Sequence, residues 1–378
     1  MYVIYKKNAS RLFFNIILSH LIGEKSKLKM IHNKKTVFLV MGGGGYLGSV
    51  MVPILLSIGY HVRVIDRFFW GKDVLSPHEN LSLIEADTRS YPKTYLKDID
   101  IIIDLASISN DYAAELKPQV TLDINYHARV RTALMAKKYG VKKYILASSC
   151  SVYGFGNEIL DETSKPSPLT TYAKASLLAE NATLQLSDNN FCVTVLRQGT
   201  LHGISPRMRF DLVLNTMTLS LFKNNFITIQ DGNQWRPIVH VTDSARAFIQ
   251  VAQTPMQKIN GEVFNVGASE QNYQIRNLAQ LVISNLDSTS KVIVQDNQSD
   301  SRSYQVSFEK LKHVIGYQTK KILRDGVREV YLGLKTNRIT DSIQTRTVDW
   351  YKYLLSQDPY VLDIKHEYSQ KETVPHLQ

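Results

Sequence analysis

Four consecutive glycines, Gly42–Gly45, break the chain directly after the apolar run Thr36-Val-Phe-Leu-Val-Met41. A second apolar stretch follows as far as Ser57. A glycine run cannot lie inside a helix or a strand without heavy entropic cost, so it predicts a tight turn between a buried strand and a helix. Gly42, Gly45 and Gly48 are spaced G-x-x-G-x-x-G. In such a loop the first glycine makes the turn. The second lets the backbone approach a pyrophosphate at the positive end of the helix, and the third lets helix and strand pack closely. Gly44, Tyr46 and Leu47 complete the loop. Asp66 ends the next β-rich run, Tyr60–Asp66, where a carboxylate accepts hydrogen bonds from adenosine ribose hydroxyls. It would repel a 2′-phosphate, so the pattern favours NAD over NADP. Arg67 beside it is the one residue that argues the other way.

Further runs at Leu81–Glu85, Ile101–Leu105, Lys143–Ala147 and Phe191–Leu196 read as buried strands. They alternate with helical patterns over 123–139 and 170–187. Strands alternating with helices predict an α/β, Rossmann-type, doubly wound parallel sheet. The alternation weakens after about residue 200, as a smaller C-terminal substrate-binding lobe requires. The expected organisation is a basic disordered extension over 1–35 and a cofactor domain over 36–198, to which 237–260 return. The lobe takes 199–236 and 261–335, and a peripheral helix with a loose tail occupies 336–378.

The net charge of +11 resembles a nucleic-acid signal only until it is located. Residues 1–35 hold eight lysines and arginines against Glu24 alone, so the folded body is close to neutral and no nucleic-acid partner is expected. Leu12–Ile22 is too short and too interrupted to span a bilayer. Two cysteines, Cys150 and Cys192, lack metal-ligand spacing and suit a reducing, cytoplasmic compartment.

Several ordered motifs add to this reading. They are the glycine loop, Asp87-Thr88, Leu105-Ala106-Ser107, Ser148-Ser-Cys-Ser-Val-Tyr-Gly154, Tyr172 at a helix start, and Gln234-Trp-Arg-Pro-Ile-Val-His-Val-Thr-Asp243. Together they make the chain, over about 36–335, resemble the extended short-chain dehydrogenase/reductase family, specifically its nucleotide-sugar epimerases and dehydratases. The resemblance implies NAD as cofactor, a nucleotide-diphosphate sugar as substrate and a homodimer formed through paired helices. It puts Asp87 and Thr88 near the adenine and Leu105, Ala106 and Ser107 along the cofactor groove, with Asn125 and Gly199 also at the cofactor.

The resemblance also implies that Tyr172 is the general base and Ser149 the hydroxyl beside it, with Tyr153 shaping the pocket wall and Cys150 a small buried thiol. One position departs from the pattern. Where the family has Tyr-x-x-x-Lys, this chain reads Tyr172-Ala-Lys-Ala-Ser176. Lys174 lies on the opposite face of a helix and cannot substitute. An unperturbed tyrosine of pKa ~10 is only about 0.1% ionised at pH 7. Ser176 therefore leaves a slow site, an adapted one, a cation supplied from elsewhere, or a weakly catalytic NAD and nucleotide-sugar binding protein.

On the substrate side, a diphosphate calls for guanidinium groups and amide donors. Arg236 matches the family's diphosphate arginine, and Arg302, Ser151, Thr200 and Asn215 are further candidates, assisted by Arg207 and Arg209. His240 is expected to be structural. Sugar 4,6-dehydratases place Asp-Glu after the catalytic hydroxyl residue, whereas this chain has Cys150 and Ser151. Epimerisation, with hydride removed and returned at a sugar carbon such as C4, fits these residues better than dehydration or net reduction. The supply of a surface polysaccharide is the expected setting.

Overall fold

The computed structural model describes residues 36–286, 289–295 and 302–364. The expectations placed on residues 1–35 and on the end of the tail lie outside them.

Seven parallel strands form the central sheet: β1 (Val37–Met41), β2 (His61–Asp66), β3 (Leu81–Glu85), β4 (Ile101–Asp104), β5 (Lys143–Ser149), β7 (Cys192–Gln198) and β11 (Glu262–Val266). Their order is β11-β7-β5-β4-β1-β2-β3, each neighbouring pair parallel. The middle strands are covered on both faces, which is why Ile101–Ile103 reads as a continuous apolar run rather than an alternating one. The chain direction of strand order reverses between β1 and β4, and ligands of such sheets bind beyond the carboxyl ends at that point.

Helix α1 (Gly48–Ile58) follows the glycine loop. Helix α2 (Arg129–Lys138) continues from a π-helical turn over Asp123–Ala128. Helix α3 (Thr171–Leu184) packs beside α2. Its start is fixed by Thr170, whose hydroxyl accepts a hydrogen bond from the Ala173 amide at 3.2 Å.

The smaller lobe is built from α4 (Val213–Asn224), α6 (Ile275–Leu286) and α7 (Leu323–Lys335) around their own apolar cluster. It carries a three-stranded sheet of β8 (Thr200–His202), β10 (Trp235–His240) and β12 (Asn272–Gln274). Two parallel pairs complete it, β9 (Phe226–Gln230) with β13 (Lys291–Gln295) and β6 (Phe155–Leu160) with β14 (Ser303–Val306). Between β10 and β11, α5 (Val241–Gln253) returns to pack on α1.

Two expectations are corrected here. The return to the cofactor domain does not stop at 260, because β11 at 262–266 is an edge strand of its sheet. The C-terminal segment is not loose before residue 364: α8 (Thr347–Gln357) and the residues after it dock on the loops that follow β2 and β3.

Candidate active site

A cleft of about 670 Å³ opens at the carboxyl ends of the strands, between the sheet and the smaller lobe. The glycine loop forms its floor. Gly42 has φ +74°, and a Cβ there would lie 2.8 Å from the backbone of Ala106. At Gly48 a Cβ would lie 2.5 Å from the Gly43 carbonyl oxygen. Asp66 accepts hydrogen bonds from the amides of Gly44 (2.9 Å) and Phe68 (2.7 Å). Burial pushes its carboxyl up, and those amides and the Arg207 guanidinium pull it back. Gly44 thus orients Asp66 rather than lining the cleft.

Arg67 is spoken for. It donates to Asp87 (2.6 Å), to the Val361 carbonyl (2.7 Å) and to the Asp363 carbonyl (3.3 Å). Arg89, which sequence reasoning missed, donates to both Asp87 oxygens and to the Leu362 carbonyl at 2.6 Å. Burial works against the Asp87 carboxylate, but the two arginines outweigh it and hold Asp87 below the usual range. Thr88, Leu105, Ala106, Ser107 and Gly199 line the cleft as expected. Asn125 does not. It is fully buried, and its amide clamps Ile108 by accepting from its N–H and donating to its carbonyl. It therefore shapes the loop after β4.

Arg207 sits in the cofactor half of the cleft, not in the substrate half. Its guanidinium lies 3.9 Å from the Trp70 ring centre, and Nη2 donates to Thr347 Oγ1 at 3.1 Å. Nη1 is buried without a hydrogen-bond partner among the described residues, as is Ser107 Oγ. Burial and the neighbouring Arg209 lower its pKa to about 9, a deficit that an anion would relieve. The Cβ-intolerant glycine cradle and these two orphaned polar atoms fit a dinucleotide with its pyrophosphate and ribose hydroxyls.

Tyr172 and Ser149 meet in the cleft, where the Ser149 hydroxyl is the hydrogen-bond partner of the phenol. Ser149 Oγ already accepts from the Ser151 amide (3.1 Å) and hydroxyl (2.8 Å). Its own proton is left to be donated to Tyr172, the direction that favours a phenolate. Tyr172 also occupies the second residue of α3, near the positive end of the helix dipole. Burial first, then Asp111, push the phenol up, while Arg129, Ser149 and Arg209 pull it down, and the net shift is upward. Ser176 is buried outside the cleft wall, and its hydroxyl donates to the Tyr172 carbonyl at 2.9 Å. Its side chain does not line the cleft beside the phenol.

Arg236, Arg302, Ser151 and Thr200 line the lobe side of the cleft. Arg236 donates to the carbonyls of Trp235 and Arg302, and Arg302 pairs with Asp111. Asn215 lies behind the wall: its amide donates to Tyr46 Oη (3.1 Å) and the Arg209 carbonyl (2.9 Å) and accepts from the Gly203 amide. Tyr153 is likewise behind the wall, its one hydroxyl proton within reach of the Asp161 carbonyl (2.8 Å) and Asn265 Oδ1 (2.9 Å). Cys150 is buried, with its thiol pushed well up by desolvation. His240 caps α5 and contacts Glu329 at 2.5 Å.

The family model described as "NAD dependent epimerase/dehydratase family" matches residues 38–267. The UDP-N-acetyl-alpha-D-glucosaminuronate decarboxylase of Bacillus cytotoxicus is 27% identical over 273 residues, covering 68% of this chain and 82% of that protein. The UDP-glucose 4-epimerase of Streptococcus mutans is 24% identical over 306 residues, covering 74% and 91%. Among solved structures, UDP-glucuronic acid 4-epimerase from Bacillus cereus in complex with NAD superposes with a TM-score of 0.70 at 23% identity, covering 80% of this chain and all of that one.

Proposed function

Because the chain belongs to the NAD-dependent epimerase/dehydratase family, with NAD as its cofactor, we propose that it is a nucleotide-sugar epimerase acting at C4 of the sugar. The observation that carries this reading is the Ser149–Tyr172 pair facing the same cleft as the glycine loop and Asp66. The loop amides, Asp66 at the adenosine ribose and Arg207 at the pyrophosphate would hold NAD. When bound, it supplies reversible two-electron oxidation. Tyr172 takes the proton of the sugar hydroxyl and returns it, and Ser149 steadies the same oxygen. Arg236, Arg302, Thr200 and Ser151 hold the diphosphate and sugar. Epimerisation asks for nothing more than one group that accepts and restores a proton, in a cleft wide enough for the sugar to turn.

Dehydration is the second reading in the family. It is disfavoured because position 150 holds a buried thiol with a raised pKa and position 151 a serine. The decarboxylase among the relatives makes a carboxylated sugar the competing substrate class.

The finer reading is a cytoplasmic homodimer that supplies a surface polysaccharide. Leu134 on α2 and Leu178 on α3 are exposed on two helices that pack together, as an α2–α3 interface would require.

The test is a panel of UDP-, dTDP- and GDP-sugars followed by NMR. C4 inversion without net NADH formation is expected, with loss of turnover and retention of NAD in Tyr172→Phe. Release of water or carbon dioxide would replace this reading with a lyase.

A further inference from the structure

Tyr172 is a buried phenol that must lose a proton at neutral pH, and the position one turn along its helix holds no cation. Three charged groups face it, each from a different element: Asp111 from the short helix after β4, Arg129 from α2, and Arg209 from the loop after β8. Asp111 is paired with Arg302 and accepts from Thr170. Arg209 is held in a fork by both oxygens of Asp211, at 3.0 and 2.7 Å, so its charge is largely neutralised.

Arg129 differs from both. Its side chain is buried, 3% exposed, yet it lines the cleft together with Tyr172, Ala106 and Ser107. Its Nε donates to the Ala106 carbonyl at 3.0 Å, which anchors the guanidinium on the cofactor groove. Nε makes the one side-chain hydrogen bond of Arg129 among the described residues, and its Nη atoms are open to the cleft rather than sealed in the protein. Asp104 and Tyr144, the other titratable groups near it, are bound to each other at 2.6 Å, and Asp104 also accepts from the Ala106 amide. Asp104 feels the Arg129 charge from the protein side, and the Nη donors that open on the cleft are left for an acceptor or a negative group bound there.

We propose that Arg129 supplies the cation this active site lacks at position 176: its guanidinium is the positioning group that stabilises the Tyr172 phenolate and offers its free Nη donors to the cofactor's nicotinamide ribose. The proposal rests on the epimerase reading for the use of the phenolate, but not for its existence. Sequence spacing hides the residue, because Arg129 reaches Tyr172 only through the packing of α2 on α3.

The test follows Tyr172 directly. Tyrosinate absorbance near 295 nm is titrated in the full chain, with and without saturating NAD, and the same variant carrying Tyr172→Phe is subtracted. In Arg129→Gln the Tyr172 transition is expected to move up by about one to two pH units, the effect of losing one nearby charge. Arg129→Lys should restore most of it, and the kcat–pH rise should move in parallel. NAD should bind Arg129→Gln at least several-fold more weakly. A transition within about 0.3 unit of wild type overturns the proposal. Should Arg129→Gln fail to fold, Arg129→Met, which keeps most of the side chain's length and removes its charge, decides by the same criterion. If the titration behaves as expected while no nucleotide sugar is converted, the epimerase reading fails and the assignment of Arg129 stands.

Discussion

Removing the Glu180 carboxylate should destabilise the protein more than any other single truncation at the sheet–helix contact beneath Tyr172. Glu180 lies two turns after Tyr172 on the same face of α3 and is 1% exposed. It takes three contacts from Arg197 on β7: Nε at 3.2 and 3.1 Å and Nη2 at 2.7 Å. It also accepts from the Ser148 hydroxyl at the end of β5. In Glu180→Ala the guanidinium keeps its bond to Tyr153 Oη at 3.1 Å but becomes an uncompensated buried charge. One-sided removal of a buried pair costs about 3–5 kcal/mol, and orphaning Ser148 adds about 1 kcal/mol. Against a total stability of about 5–15 kcal/mol, that is a large fraction. At about 2–4 °C per kcal/mol for a domain of this size, Tm should fall by roughly 10 °C. Calorimetry on the cofactor-free protein measures it. Glu180→Leu combined with Arg197→Met removes both charges, and should recover most of the loss. A single variant melting within about 2 °C of wild type, or a double variant worse than the single, would refute the argument that the pair fixes the rotation of the helix that presents Tyr172.

Gly42→Ala should abolish NAD binding and lower Tm, because φ +74° is unfavourable for alanine by about 1–2 kcal/mol and the new methyl meets Ala106 backbone at 2.8 Å. Isothermal titration and a melting curve read both effects, and near-normal NAD affinity would contradict the cradle. Deleting residues 358–378 releases Arg67 and Arg89 from the carbonyls of Val361, Leu362 and Asp363. NAD should then dissociate several-fold faster, and the NADP-to-NAD affinity ratio should rise, since the freed guanidinium groups can meet a 2′-phosphate. Stopped-flow displacement checks the rate, and an unchanged ratio would show that Asp66 alone sets the preference.

The parallel strands were legible because a strand buried on both faces is apolar over most of its length, as β1 is and as Ile101–Ile103 of β4 are. The edge strand β11 escaped notice. Its sequence, Glu-Val-Phe-Asn-Val, is mixed, since an edge strand is enclosed on one side only. Tyr172 and Ser149 were singled out by the family's motif positions, and the fold brings their side chains together in the cleft. Asn125 and Asn215 were misjudged because residue type reveals what a side chain can bind but not whether the fold has already used its donors. Arg129 and Arg207 lie in helix and loop segments without a local motif, and they enter the site through packing between distant parts of the chain. The C-terminal contacts left no trace at all. They are made through backbone carbonyls, which every sequence has.

Those carbonyls tie Arg67 and Arg89 to residues made 294 and 273 positions later in the chain. Ribosomes release a chain from its N-terminus at roughly 5–20 residues per second, so the glycine loop and Asp66 emerge tens of seconds before Val361 and Leu362 are polymerised. Until then the carbonyls that hold Arg67 and Arg89 are missing from the adenine end of the groove. A cofactor molecule captured during that interval is held more firmly once residues 361–363 have docked. A chain lacking residues 358–378 would keep its sheet and hold a nucleotide that comes and goes.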